Sequence, residues 1–380
     1  ARANATSRAK AAAASLDVGG SIIVTNNANS RAIARMDNLA PLSYASVGVM
    51  VGYAYADGTF EALVESNGGI RASSNVTVQN TYNASAEAVV NPAVGGVNVS
   101  KYSGKLNVGY AEVKTVANAG ITGSGALAAK AVRVDNTGKA KANAEVKGGY
   151  FTGNTVQVVS NTVVARLNAT QEAFVKDVFI TADSVAVLSL YNVNQAAEPY
   201  DDSNLPVVPA IDTAQGAFAL VGASYGKISL VDVTANGADA NSVSTVRSYI
   251  QGAGTNVSGA LDVHTFAASY AVTNIDKPTA GVSLAEVGVA VLLSRAAGTY
   301  EAYIDSTGSE KGILADGIRV GVGHNTLAKS TTGPLGGTGV SLGGVAINVN
   351  QANANADASA NAFLKGSGHV EATKDDLYVQ

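Results

Sequence analysis

The acidic residues with the most regular spacing lie in two matching segments of the chain. Glu61 and Glu65 occur in one segment, and Glu301 and Asp305 occupy the same two places in the other. Paired carboxylates could cleave a polysaccharide, since glycoside hydrolysis needs two of them about 5 to 10 Å apart. A catalytic site is normally made once, whereas a structural role recurs with each repeat. The duplication therefore favours a structural role, and we predict no catalytic residues and no enzymatic activity.

One segment differs in composition from the rest of the chain. Residues 196–213 hold three of the seven prolines together with the run Tyr200, Asp201 and Asp202. Proline cannot donate to a β-ladder, so this segment is predicted to leave the fold as a loop excursion, and exposed loops on a rigid scaffold often carry binding function. The three run residues are the candidate partner-binding residues. A weak Ca²⁺ site and a solvated insertion without function are the alternatives.

Other residues that could bind a metal or a phosphate lack the spacing that such sites need. His264, His324 and His369 lie far apart, so no pair of them has the short spacing of a zinc site. Residues 333–344 are rich in glycine, but no Gly-Lys-Ser/Thr follows them as in a phosphate-binding loop. The chain has no cysteine, which excludes disulfides and thiolate ligands. We predict no cofactor and no bound metal.

The segments that carry the paired acids are long internal repeats. Residues 47–68 and 287–308 share the pattern V-G-V-x-V-x-x-x-x-A-x-G-T-[FY]-E-A-x-[VI]-[DE]-S-x-G, which is too long to arise by chance. A second pattern, V-x-V-x-N-T-x-x-A-x-A-x-A-x-V, aligns residues 76–90 with 132–146, and residues 156–169 join them when one insertion is allowed. Such repetition indicates an array of units that are stable only when they stack on their neighbours.

A short motif suggests the length of the repeat. The tetrad Glu-Ala-apolar-aliphatic begins at Glu61, Glu87, Glu172 and Glu301. The gap from Glu87 to Glu172 and the gap from Glu172 to Glu301 divide into about four and six steps of roughly 21 residues, which lies within the range of stacked repeats. The sequence therefore predicts a coil of roughly 20 residues.

Apolar and polar residues alternate along the repeats. Every second residue between 352 and 362 is alanine, and V-x-V pairs recur, as in Val76/Val78 and Val132/Val134. A period of two places the apolar residues on one face of a strand, although alanine alone prefers helix. Many short strands joined by turns rich in Gly and Asn fit a sandwich, a barrel, a propeller or a solenoid.

The composition selects among these folds. The chain has no Trp and only 7 Phe, which suits the narrow interior of a parallel β-helix, whose coils stack about 4.8 Å apart. Because stacking places like residues above one another, Asn80, Asn136 and Asn161 are predicted to form amide ladders at a corner. We predict an all-β fold, a parallel β-helix or β-solenoid that spans residues 1–380 as one continuous domain, with 196–213 as its excursion.

Charge and hydropathy exclude two classes of partner. The net charge is −4 and 14% of the residues are charged, without the clustered basic surface that nucleic acid requires. No uninterrupted apolar stretch approaches the roughly 18 to 20 residues of a membrane-spanning helix. We expect no nucleic-acid partner and no membrane-spanning segment.

The repeats also resemble those of a known class of protein. The V-x-V-x-N-T strands, the V-G-V-x-V strand and the Glu-Ala-[Tyr/Leu]-[Ile/Val] segment after a Gly-Thr turn are similar to repeats of leukotoxin-type filamentous adhesins. These are large exported bacterial proteins related in architecture to filamentous haemagglutinin and to autotransporter passenger domains. The resemblance implies a right-handed parallel β-helix within a fragment of a larger protein, secreted or exposed at the bacterial cell surface, that serves virulence through attachment or toxicity.

From the residues and the resemblance together we expect a non-catalytic, adhesive rod. Its loops and lateral surface would contact a receptor or glycan on a host or neighbouring cell, and self-association is a further expected contact. Two alternatives stay open at this point. One is a self-assembling extracellular structural filament, and the other is a β-helix polysaccharide lyase or glycoside hydrolase.

Overall fold

The fold consists of β-strands. The computed structural model describes residues 1–37, 44–92, 97–147, 151–193, 210–222, 226–252, 254–276, 281–307, 312–332, 345–366 and 368–380. All regular structure in these ranges is β-strand, so they contain no helix long and apolar enough to cross a membrane. The predicted all-β class is confirmed, because the alternation of apolar and polar residues outweighs the helix preference of alanine.

The described strands follow one another along the chain with short connections. They are β1 (Arg2–Ala13), β2 (Leu16–Val18), β3 (Ile22–Asp37), β4 (Ala45–Ser66), β5 (Ile70–Ala72), β6 (Asn75–Asn91), β7 (Val97–Gly123), β8 (Ala126–Ala128), β9 (Ala131–Val146), β10 (Phe151–Lys176), β11 (Phe179–Ala182), β12 (Ser184–Tyr191), β13 (Gly216–Val221), β14 (Gly226–Gln251), β15 (Thr255–Ile275), β16 (Gly281–Asp305), β17 (Ile313–Thr332), β18 (Val345–Lys365), β19 (Val370–Ala372) and β20 (Leu377–Val379).

These strands form two sheets, in which every described pairing between strands is parallel. Sheet I has the order β1-β4-β7-β10-β14-β16-β18. Sheet II has the order β2-β5-β8-β11-β15-β12-β9-β6-β3, with β13 beside β15 and β9, and with β17, β19 and β20 continuing from β15. Each strand of sheet I is followed along the chain by strands of sheet II and then by the next strand of sheet I. The chain therefore alternates between the two sheets.

Neighbouring strands of one sheet are much further apart in sequence than predicted. Arg2 lies opposite Tyr55, and Ala45 lies opposite Tyr102, so one step across sheet I spans more than twice the predicted coil. The predicted coil length is therefore wrong. The error comes from Glu87, which lies on β6 in sheet II, whereas the other three tetrads lie on strands of sheet I. Counting both sheets as one series made the repeat look shorter.

The long duplicated segments occupy the same place in sheet I. Val47 lies opposite Gly104, and the column continues through Val158 and Val233 to Val287. The two segments are thus in register although three strands separate them.

The shorter pattern divides between the sheets. Val76 of β6 lies opposite Val132 of β9 in sheet II, as the alignment predicts. The third copy, residues 156–169, lies on β10 in sheet I, so its alignment with the other two is wrong. Both sheets use alternating strands that end in Ala-rich segments, and this similarity misled the alignment.

The inward side chains form two apolar cores between the sheets. Core 1 is rich in alanine, with Ala54 and Ala84 fully buried, and it also encloses Phe60 and Tyr82, whose rings stack 4.9 Å apart. Core 2 is built mainly of Val, Ile and Leu. One of its columns in sheet II is Ile22, Val76, Val132, Val185, Leu261 and Ile318. Burial of each such side chain stabilises the fold by about 1.5–3 kcal/mol.

A column of polar side chains, the polar seam, lies between the two cores. It consists of Asn26, Asn80, Asn136, Ser189 and Thr265, which are register neighbours in sheet II and are all buried. The Nδ2 of Asn26 donates to Oδ1 of Asn80 at 2.8 Å, and Nδ2 of Asn80 donates to Oδ1 of Asn136 at 3.0 Å. The predicted amide ladder is confirmed for Asn80 and Asn136, although it lies inside the fold rather than at a corner.

Asn161 belongs to a second ladder, which lies in sheet I. Asn107 donates to Asn161 at 2.8 Å, and Asn161 donates to Asn236 at 2.8 Å. Asn161 is therefore stacked as predicted, but with asparagines of its own sheet.

The polar seam also joins the two sheets. Asn80 Nδ2 donates to the carbonyl oxygen of Phe60 at 3.1 Å, and Thr265 Oγ1 donates to that of Glu301 at 2.7 Å. Both carbonyls belong to sheet I. Because a buried polar group without a partner costs about 1–3 kcal/mol, these bonds fix how far apart the sheets lie and how each strand is aligned.

Replacing the central asparagine of the ladder tests this role. Asn80→Ala removes partners from buried amides on both sides and from one carbonyl, so we expect the free energy of unfolding to fall by about 3 kcal/mol. Asn27→Ala, on the exposed face of β3, is the control and should change it by less than about 0.5 kcal/mol. Urea denaturation followed by circular dichroism measures both, and equal effects would contradict the role of the seam.

A buried histidine predicts how stability depends on pH. Burial, and then the charge of Arg319, lower the pKa of His264 to about 3, whereas an unfolded histidine has a pKa of about 6.5. The unfolded chain therefore binds a proton that the folded chain excludes, and stability falls as the pH drops from about 6.5 towards 3.

His264→Gln removes this titration. Relative to the wild type, the variant should gain up to about 1.4 kcal/mol in unfolding free energy for each pH unit below about 6. Urea denaturation of both proteins between about pH 7 and pH 4 measures the difference, and a difference that is constant with pH would contradict the assignment.

Candidate functional site

The conspicuous acids of the repeats lie in a column of charged residues on the outer face of sheet I. Arg8 pairs with Glu61 at the start of the column. Further along, Arg247 lies between Glu172, at 3.5 Å, and Glu301, at 2.7 Å. Each of these carboxylates thus has a basic partner on a neighbouring strand, and the repeated Glu-Ala tetrads of sheet I build an ionic ladder.

The second acid of each duplicated segment is paired in the same way. Glu65 contacts Lys10 at 2.7 Å, and Asp305 contacts Lys365 at 3.6 Å. Hydrogen bonding from Thr307, aided by Lys365, lowers the pKa of Asp305. A general acid in glycoside hydrolysis needs a raised pKa, and the surroundings of Asp305 act in the opposite direction.

An aromatic column runs beside the ionic ladder, two residues further along each strand. Phe174 and Tyr249 lie 5.5 Å apart between ring centroids, Tyr249 and Tyr303 lie 5.0 Å apart, and Tyr303 and Phe363 lie 4.9 Å apart. All three pairs are nearly parallel, so each ring covers the face of the next. The third residue of the tetrad therefore packs along the outside of the sheet while the second and fourth fill core 2.

The histidines and acids form no evident metal centre within the described ranges. No group of three or more His, Asp or Glu there is placed to share an ion. His264 lies 4.0 Å from Asp262, which is held by two bonds from Arg319 at 2.7 and 2.9 Å. His369 contacts Glu371 at 3.0 Å.

The candidate binding residues of the excursion, Tyr200, Asp201 and Asp202, lie outside the described residues. The two ends of the excursion are described. Strands β12 and β13 both pair with β9 on one side and β15 on the other, so they share one line of sheet II that is interrupted between them. Val193 and Ile211 form an antiparallel bridge where the chain departs and returns.

Specific contacts anchor both ends of this interruption. Asn192 has a positive φ of 52°, and its side chain accepts from Ala140 N at 2.7 Å and donates to Ala140 O at 3.3 Å. The side-chain amide thus replaces the ladder bonds that a continuing strand would make. On the returning end, Asp212 accepts from Lys139 Nζ at 3.0 Å.

The return into β13 requires a glycine. Gly216 has a φ of 124°, and a Cβ at this position would collide with the carbonyl oxygen of Tyr270. A small apolar cluster supports the same region of sheet II. It comprises Leu190, Val193, Phe266 and Ala268, with Leu188 and Ile211 packed against it.

A polar groove on the outer face of sheet II lies next to the returning end. We call it the sheet II groove, and its volume is about 300 Å³. Its walls come from β3, β6 and β9, and from the residue that precedes Gly216. The lining residues are Asn29, Arg31, Asn83, Ser85, Ala86, Glu87, Lys141, Asn143 and Gln215.

The lining combines amides, a hydroxyl and three charges. Arg31 and Glu87 face each other at 3.5 Å, and Lys141 Nζ lies 5.4 Å from the ring centroid of Phe218, at the edge of the groove. Asn and Gln each offer both a donor and an acceptor. The groove can therefore form hydrogen bonds with a ligand that carries many hydroxyls, and its small charge excess is positive.

Sequence reasoning missed the sheet II groove. Its residues come from three successive strands and from position 215, and only the register brings them together. The period-two alternation does indicate that Asn83, Ser85 and Glu87 share one strand face. That signal becomes useful only when the neighbours of β6 are known.

Comparison of the chain with protein-family models, with curated proteins and with solved structures finds no match. The assignment of a site therefore depends on the geometry described above.

The anchoring role of Asn192 can be tested by two substitutions. Asn192→Ala loses both bonds to Ala140 and places an L-residue at positive φ, so we expect a loss of about 3 kcal/mol in unfolding free energy. Asn192→Gly loses the bonds but relieves the backbone, and should cost about 1 kcal/mol less than the alanine variant. Urea denaturation measures the two, and equal losses would show that the backbone conformation contributes nothing.

Proposed function

We propose that this chain is a β-solenoid that serves as the adhesive, non-catalytic scaffold of a bacterial filamentous adhesin, secreted or exposed at the cell surface. Each turn of the solenoid would supply one line to sheet I and one line to sheet II. The alternation of the strands between two parallel sheets supports this winding. The register of neighbouring strands, which pairs positions a whole turn apart in the chain, supports it as well.

The observation that carries the attachment function is the sheet II groove beside the two ends of the excursion. A scaffold of stacked strands has regular faces, and a concavity arises where an extra segment rises from them. Pockets that hold small ligands have volumes of about 300–1,000 Å³, so the sheet II groove is large enough for one or two sugar rings. The excursion would form the remaining wall.

A glycan is the partner that this lining fits best. Side-chain amides and a guanidinium can each bond two neighbouring hydroxyls of a sugar, because their polar atoms lie in one plane. Phe218 supplies an apolar surface at the edge for the C–H face of a ring. The excess of one positive charge among Arg31, Glu87 and Lys141 favours a neutral or weakly acidic glycan on a host or neighbouring cell.

The lyase and hydrolase alternatives lack a comparable observation. The acids that the repeats make conspicuous are engaged in ion pairs along the ionic ladder. Their recurrence in register supports a structural contribution instead.

Binding to a glycan array, followed by calorimetry with the best ligand, tests the proposal. We expect Asn83→Ala combined with Lys141→Ala to weaken binding at least 10-fold, because each removes hydrogen bonds to the ligand. Arg35→Ala is the matched control, since Arg35 is an exposed arginine on β3 that pairs with Asp37 and does not line the groove.

A deletion separates the groove from the excursion. Joining Val193 to Ala210 through a short Gly-Ser link keeps the described ends and removes the segment between them. We expect weaker attachment to cells with an unchanged circular dichroism spectrum. Absence of binding to any glycan and to any cell surface by the wild type would contradict the proposal.

A further inference from the structure

A second surface with a different chemistry lies on sheet I. It is formed by the outward side chains in register with residues 45, 47, 49 and 51 of β4, on the six strands from β4 to β18, and we call it the valine face. One of its four columns is Val47, Gly104, Val158, Val233, Val287 and Ile347. None of the residues so defined is charged, and most are Val, Leu, Ile or Ala.

The valine face is exposed. The exposed fraction is 89% for Val47, 64% for Val49 and 52% for Val51, and it reaches 68% for Val345 at the other side of the face. Scattered apolar residues are normal on a protein surface, but contiguous patches larger than a few hundred Å² mark interaction sites. This patch is contiguous by construction, because its residues are register neighbours on adjacent strands.

Its area matches that of a stable protein interface. Six strands at about 4.8 Å spacing, with four outward residues each at about 6.8 Å spacing, cover about 800 Å². A standard protein interface buries about 800 Å² on each partner. The borders are also suitable, since Tyr53 and Tyr110 stack 5.0 Å apart at one edge and the next outward residues on those strands include Glu112 and charged neighbours that would form a polar rim.

The shape of the face selects its partner. Rows of β-branched side chains at the spacing of β-strands pack best against another sheet with the same spacing, at about 10 Å between sheets. A face without charge is compatible with itself, because no like charges meet when two copies are related by a two-fold axis. The chain itself carries such a sheet.

We propose that the valine face is a self-association surface, through which two copies of this chain pack face to face as a symmetric dimer. The outer face of sheet II stays free in this arrangement, so the dimer presents two sheet II grooves on its opposite sides. The inference does not depend on the groove, and either proposal can fail without the other.

Sedimentation equilibrium on the purified chain tests the dimer. Between about 1 and 100 µM we expect the mass to rise from 38.0 kDa towards twice that value. Val49→Lys combined with Val158→Lys places charges in the interface and should weaken association at least 100-fold. Thr170→Lys combined with Thr245→Lys is the control, because both lie on the outer face of sheet I beyond the valine face, and it should leave association unchanged.

A distance measurement tests which surface is used. The chain has no cysteine, so Ser160→Cys carries a single spin label near the centre of the face. In the proposed dimer two such labels lie within about 20 Å of each other, whereas labels on Thr245→Cys lie about 70 Å or more apart. Pulsed electron paramagnetic resonance distinguishes the two.

Three outcomes would overturn the proposal. The first is a wild-type chain that stays monomeric throughout the concentration range. The second is a dimer that the paired valine substitutions leave intact and in which the Ser160 labels are far apart, which would place the interface elsewhere. The third is a monomer that binds phosphatidylcholine vesicles and loses that binding in the paired valine variant, which would assign the valine face to lipid.

Discussion

The hydrogen bonding of buried asparagines to one another along the stack is the interaction on which the rest of the structure depends. An asparagine inside an apolar core is costly unless both its amide nitrogen and its oxygen have partners. In the polar seam, the asparagines of adjacent strands supply these partners to one another, and the remaining donors reach carbonyls of sheet I. A shift of one strand by a single residue would break these bonds and turn its apolar residues outward.

This constraint explains why the outer faces are organised in columns. Once the register is fixed, a residue type that recurs in the sequence becomes a line on the surface. Glu61, Glu172 and Glu301 share one line with the arginines that neutralise them. Valines 47, 158 and 287 share another, which has no charges to balance. The faces therefore differ in chemistry while the backbone beneath them stays regular, and function is a property of these columns and of the places where they are interrupted.

Much of the fold can be predicted from the sequence, because alternation is a local signal. The V-x-V pairs at Val76 and Val132 identify strands, and the recurring asparagines identify a stack. The length of a turn is not a local property. Glu87 matches the tetrad of Glu61 and lies close to it in the chain, yet it belongs to the opposite sheet. The sheet II groove is still harder to predict, because Asn29, Asn83 and Gln215 become neighbours only through pairings between distant parts of the chain.

Disulfide formation between designed cysteines tests the register most directly. Thr245 and Thr299 lie opposite each other on β14 and β16, so their Cα atoms should be about 5 Å apart, within the range that a disulfide can bridge. Arg295 lies four residues before Thr299, about 14 Å from Thr245. The account predicts that oxidation of a dilute double variant crosslinks cysteines at 245 and 299 within one chain and leaves those at 245 and 295 unlinked. Crosslinking of the second pair, or of neither, would contradict the register on which the seam, the ionic ladder and both surfaces depend.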